Sequence, residues 1–165
     1  MSMIGYALTL SPADLDRAAA DPDWALELVE ELESSDDESR PGPQVLDLDK
    51  AWAAISFALE RARFPVDVVL GEQPLAGDTE WGYGPPRFVD AARVQEAAAA
   101  FAATSPEALL ADVSTELLDG ADVYPGGWQD DPDMVHEYVL PSLRDLTDLY
   151  TSAAADGYAV VVWLG

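Results

Sequence analysis

The residues whose types and spacing could do chemistry fall into a few short segments. Leu46-Asp47-Leu48-Asp49-Lys50-Ala51-Trp52 places two carboxylates two residues apart. On an extended chain Asp47 and Asp49 would point the same way, where they could bind a cation or serve as acid and base. Structurally, Asp49 or Asp47 would instead cap the helix that follows, and Asp47 would pair with Lys50 or an arginine. No third ligand and no glycine-rich calcium turn follows the pair. Trp81 precedes Gly82-Tyr83-Gly84-Pro85-Pro86-Arg87, which combines mobile glycines, an aromatic ring and a guanidinium. It has neither the Gly-x-x-x-x-Gly-Lys of a phosphate loop nor the spacing of a dinucleotide fold. Arg87 could hold an acidic ligand group, or it could clamp Asp47 or Asp49 and pin the loop.

Tyr124-Pro125-Gly126-Gly127-Trp128 sets two large rings around a turn. Exposed, Tyr124 and Trp128 would anchor a partner; buried, they would plug the core beneath a loop. Trp24, Trp52, Trp81 and Trp163 could also be core residues or cavity walls. His136 is the sole histidine, and cysteine is absent, so disulfides, thiolate catalysis and multi-histidine metal sites are excluded. There is no Gly-x-Ser-x-Gly elbow to make His136 part of a triad. His136 is expected at the surface, paired with a neighbouring acid. No metal, cofactor or catalytic residue is assigned.

The bulk charge is the other chemical signal. Eight basic residues stand against 32 acidic ones, for a net charge of −24. Nucleic acid and anionic membrane surfaces would be repelled, whereas a basic protein would be drawn in. Glu27, Glu30, Glu31, Glu33, Asp36, Asp37, Glu38, Asp47 and Asp49 lie along residues 27–49 against Arg40 alone. A second run holds Asp130, Asp131, Asp133 and Glu137. If the two converge, they form a field that captures a cationic surface; otherwise they are a solvated, solubilising face.

The elements that must position these groups can be read from periodicity and caps. Met3–Leu10 reads as a strand. Ser11-Pro12 and Asp21-Pro22 each start a helix, the second with Ala25, Leu28, Val29 and Leu32 on one face. The polar, proline-punctuated stretch 34–43 should be an exposed loop. Val45–Leu48 is extended, and Trp52, Ile55, Leu59 and Ala62 make the stripe of the next helix. Phe64–Leu70 reads as a strand or a helix end. Residues 71–86 form a long, glycine- and proline-rich connection. Arg87–Val89 is short and extended. Asp90 and Ser105-Pro106 start further helices. A helical region spans 131–156, kinked or split by Pro141 and closed by Gly157. Tyr158–Leu164 is the clearest strand. Both terminal strands are apolar on both faces, as expected of neighbouring central strands covered by helices.

Met3-Ile4-Gly5-Tyr6, the 46–52 and 82–87 segments, and Val123-Tyr124-Pro125-Gly126-Gly127-Trp128 come in that order ahead of the closing helix and strand. In order and spacing they resemble the YfbM-like family, domain of unknown function 1877, over essentially the whole chain. The resemblance implies an α+β bacterial protein without an established activity, and it supplies no catalytic residue. The expected architecture is one domain over 1–165, with a small mixed sheet containing both terminal strands and about six helices. No apolar run suffices for a transmembrane helix and no signal peptide is evident, so a cytoplasmic location is expected. The sequence favours a non-catalytic protein that binds a basic protein partner. The alternative is a small-ligand binder or carboxylate-dependent enzyme, with a pocket around Asp47, Asp49, Tyr83 and Arg87.

Overall fold

The computed structural model describes residues 2–37 and 41–165. Strand β1 (Gly5–Leu10) leads into helices α1 (Pro12–Ala20) and α2 (Pro22–Glu33). The Ser11 side chain accepts from Asp14 N–H and that of Asp21 from Trp24 N–H, with a proline following each cap. These are the start signals read in the sequence, each satisfying an otherwise orphaned donor. Strand β2 (Val45–Asp49) and helix α3 (Trp52–Arg61) follow. Residues 64–70 turn without forming a strand, and the long connection contributes the two-residue β3 (Gln73–Pro74) before β4 (Arg87–Val89). Then come α4 (Ala91–Ala103), α5 (Pro106–Leu109), α6 (Thr115–Gly120), a 3-10 turn at Trp128–Asp130, a π-helical turn at Val135–Val139, α7 (Leu140–Asp156) and β5 (Ala159–Leu164).

Pro141 explains the π turn. Without an N–H it cannot donate back one turn, and the chain widens there, with Leu140 N–H bonding to Val135 C=O. Gly157, at φ 71°, closes α7 and returns its N–H to Ala153 and Ala154.

The strands lie in the order β2-β1-β5-β4-β3, so the two terminal strands are adjacent and central, as their apolar faces require. Every pairing is antiparallel, so the sheet is not mixed. Burial of both faces does not need parallel crossovers here, because helices inserted between antiparallel strands cover each side. On one face Leu8, Leu10, Val161 and Trp163 pack on Ala18 of α1 and on Ala25 and Val29 of α2. On the other, Ala7, Val160, Val162, Val89 and Leu48 meet α3, α4 and α7, with Ile55, Val94, Phe101, Leu143, Leu146 and Tyr150 among the packed side chains. The described residues form seven α-helices where about six were expected. Of the 34–43 stretch, Ser34, Asp36, Asp37 and Pro41 are exposed as expected, while Glu38, Ser39 and Arg40 lie outside the described residues.

Candidate functional site

Register decides which candidate residues meet. Asp47 faces Tyr6 across the β2–β1 ladder, whereas Arg87 faces Val162, whose other partner is Ala7. Tyr6 and Ala7 are successive residues, so Asp47 and Arg87 project from opposite faces of the sheet. They are also separated by three inter-strand gaps, roughly 14 Å. One pocket therefore does not gather Asp47, Asp49, Tyr83 and Arg87, and Arg87 does not clamp either aspartate. Two separate sites replace it.

The first lies around the paired start of β1 and end of β2. Asp47 and Asp49 are exposed, with Leu48 buried between them. Asp47 Oδ1 accepts from Asp49 N–H at 2.7 Å, and Asp49 takes a left-handed φ of 48°. That side-chain turn, which aspartate tolerates, swings the chain into α3. Neither aspartate caps α3, because Ala51 holds the cap position without a side-chain bond. Neither forms an ion pair with Lys50 among the described residues, and Lys50 is instead held by its backbone. The Tyr138 hydroxyl donates to Asp49 Oδ2 at 2.6 Å and accepts from Lys50 N–H at 3.0 Å. Burial, and then the adjacent Asp49 carboxylate, push the Tyr138 phenol well above the ordinary tyrosine range.

Tyr6 completes this end of the sheet. Its ring stacks on Trp163 at 5.3 Å, and Trp163 meets Trp81 edge-on at 5.1 Å. The Tyr6 phenol is pushed up by burial and then by the negative charges of Asp47, Glu33 and Asp49. Glu33 ends α2, so the last turn of that helix and the two β2 aspartates all bring negative charge to bear on one half-buried aromatic. Tyr6 packs with the α1–α2 face of the sheet and Tyr138 with the α3–α4–α7 face, and the Tyr138–Asp49 bond ties the π turn to the end of β2.

The second site is a groove of about 410 Å³ against the opposite edge of β5, lined by Asp67, Leu70, Gly71, Tyr83, Arg87 and Leu164 among others. Its loop is docked by backbone bonds, with Tyr83 N–H donating to Leu164 C=O at 2.9 Å and Trp81 N–H to Gly84 C=O at 2.8 Å. Gly82 has φ 72°, and a Cβ there would lie 2.7 Å from Leu164 O, so this close approach needs glycine. Nothing in the local sequence signalled Asp67 or Leu70 as groove residues, since both sit in a turn read as strand or helix end.

The other candidates serve the core. Trp81 is 3% exposed, and its Nε1 has no hydrogen-bond partner among the described residues. Trp128 is buried, donating from Nε1 to Val123 C=O at 2.9 Å, and so presents no partner anchor. Tyr124 is half-buried, stacks on Trp52, and accepts Met3 N–H at 2.8 Å, while Trp52 Nε1 donates to Met3 C=O. His136 is exposed and makes no ion pair among the described residues, contrary to expectation. No group of three or more potential metal-ligating side chains gathers among the described residues, and no helix is long and apolar enough to cross a membrane.

The comparisons agree with this architecture. No curated protein matches the chain. A crystal structure of YfbM from Escherichia coli, described as a protein of unknown function, matches with a TM-score of 0.68 at 18% identity, covering 99% of this chain and 100% of that one. At that identity the likeness speaks for the fold alone. The model of the domain of unknown function DUF1877 matches residues 1–163, and the chain belongs to that family.

Proposed function

We propose that the protein is a non-catalytic binding protein whose acidic end engages a basic protein partner. The observation carrying this reading is the convergence at β2. Asp47 stands opposite Tyr6 in the ladder, and the negative charges of Asp47, Glu33 and Asp49 all act on its phenol. A surface of one sign attracts an oppositely charged partner and speeds its capture. The half-buried Tyr6 ring adds a face on which an arginine or lysine of the partner can rest.

The test compares two doubly neutralised variants of equal net charge. Glu33→Gln with Asp47→Asn removes charge at the acidic end, and the asparagine can still accept Asp49 N–H. Asp16→Asn with Asp156→Asn removes it near the opposite ends of β1 and β5. Basic proteins captured at low salt from the native host's lysate are measured for each. A specific partner should be lost with the first pair, kept with the second, and weakened more than about tenfold between ~0.05 and ~0.3 M salt. Equal loss with both pairs would mean that net charge alone acts and would overturn the reading.

A further inference from the structure

Among the described residues, two large hydrophobic side chains stand out into solvent: Leu70 at 37% exposure and Tyr83 at 42%. Both line the same groove beside β5. Scattered apolar residues are ordinary on a protein surface, but two that share one concavity have the makings of a binding site. Neither is a loose end. Leu70 is fixed by its N–H bonding to Asp67 Oδ1 at 2.9 Å, and Tyr83 by its N–H on Leu164 C=O at 2.9 Å.

Arg87 is half-buried in this groove. Its Nε donates to Gly71 C=O at 3.4 Å, and among the described residues its guanidinium makes no other hydrogen bond and no ion pair. Among the described basic side chains two form ion pairs, and Arg17 and Arg61 lie instead over the Trp24 and Phe57 rings. Arg93 takes Glu72 and Glu96, and Arg144 takes Glu107. Arg87 keeps its fork of terminal N–H donors available beside two exposed apolar side chains.

We propose that the groove binds a small apolar monocarboxylic acid, its carboxylate on the Arg87 guanidinium and its body against Leu70 and Tyr83. A planar guanidinium matches a carboxylate with two parallel hydrogen bonds. The volume of about 410 Å³ lies in the range of small-molecule sites. Asp67 on the rim and the net charge of −24 select against ligands with more than one negative charge. The site rests on residues other than those of the acidic end, so each proposal can fail alone.

The test is a titration of ¹⁵N-labelled protein, followed by NMR, with 3-phenylpropanoate and with its neutral amide. The acid should shift the Gly71, Tyr83, Gly84 and Leu164 amides and the Arg87 Nε–H, and the amide should bind at least ~10-fold more weakly. Arg87→Lys, which keeps the charge but loses the fork, should weaken the acid by about 3–10-fold. Asp67→Asn, which keeps an acceptor for Leu70 N–H, should strengthen it. Equal shifts from acid and amide, shifts mapping outside the groove, or none up to ~10 mM would overturn the proposal. The acid–amide comparison uses the unaltered protein, so the result does not hinge on a variant's folding.

Discussion

At the residue scale, the Tyr138 hydroxyl has the clearest measurable role. It joins the π turn to the end of β2 by donating to Asp49 and accepting from Lys50 N–H. Tyr138→Phe should lower stability by about 1–2 kcal/mol at neutral pH, read by urea denaturation. The pH dependence has a definite sign. Burial and Asp49 raise the folded-state pKa of this phenol above that of the unfolded chain. The folded protein then keeps a proton that the unfolded chain releases from about pH 10 upward. The stabilisation is complete below that pH and is lost as pH climbs through the folded value. The gap between wild type and Tyr138→Phe should therefore hold up to about pH 10 and be smaller at about pH 11; a constant gap would refute the assignment. Asp119 has the opposite sign. Its two oxygens accept Trp128 N–H at 3.0 Å and Gln129 N–H at 2.9 Å, and these bonds hold its carboxyl below the ordinary range. Its contribution is present above about pH 4 and fades as pH falls through the lowered value. Asp119→Ala should lower the urea midpoint at pH 7 and cost less near pH 3.

At the element scale, the segments that carry the family resemblance interlock. Trp52 at the start of α3 bonds to Met3 C=O and stacks on Tyr124, whose hydroxyl receives Met3 N–H. Gly5 lies against the same tryptophan, and a Cβ there would sit 2.6 Å from Trp52 Cβ. Both are backbone-near atoms, so neither side can rotate away. Gly5→Ala should cost at least about 2 kcal/mol by forcing β1 from α3. A stability within ~0.5 kcal/mol of wild type would show that the strand start is free to shift. Three of these four segments read in sequence as potential chemistry, yet the 46–52 and 123–128 segments turn out to anchor the N-terminal strand. Only the 82–87 segment borders a groove.

At the scale of the whole molecule, the charge imbalance outweighs any single contact. A net charge of −24 on 165 residues opposes compaction, and few ion pairs offset it: Arg93 with Glu72 and Glu96, and Arg144 with Glu107, are those formed among the described residues. Raising sodium chloride from ~0.02 to ~0.5 M shortens the screening length from tens of ångströms to a few and should raise Tm by a few degrees. A Tm that falls with salt would mean that specific ion pairs outweigh self-repulsion. Salt also separates the two proposed sites, because capture of a basic partner weakens as screening grows. An acid held in contact with Arg87 is less exposed to that screening, and it gains as the long-range repulsion from the rest of the molecule falls.

The sequence by itself determined what depends on neighbours along the chain. Ser11, Asp21, Asp90 and Ser105 cap the helices that their positions announce, Gly157 ends the last helix, and Pro141 interrupts the helical run before it. The two-faced apolar pattern of the terminal strands likewise sufficed to make them central partners. These signals are local because a cap, a missing N–H or a period-two pattern acts within a few residues. Tertiary structure alone decided the sites. The antiparallel register sent Asp47 and Arg87 to opposite faces, left Arg87 without a carboxylate, and brought Leu70 and Tyr83, distant in sequence, into one groove. No short-range rule encodes that outcome, because shifting a strand by one residue exchanges its faces without altering its composition.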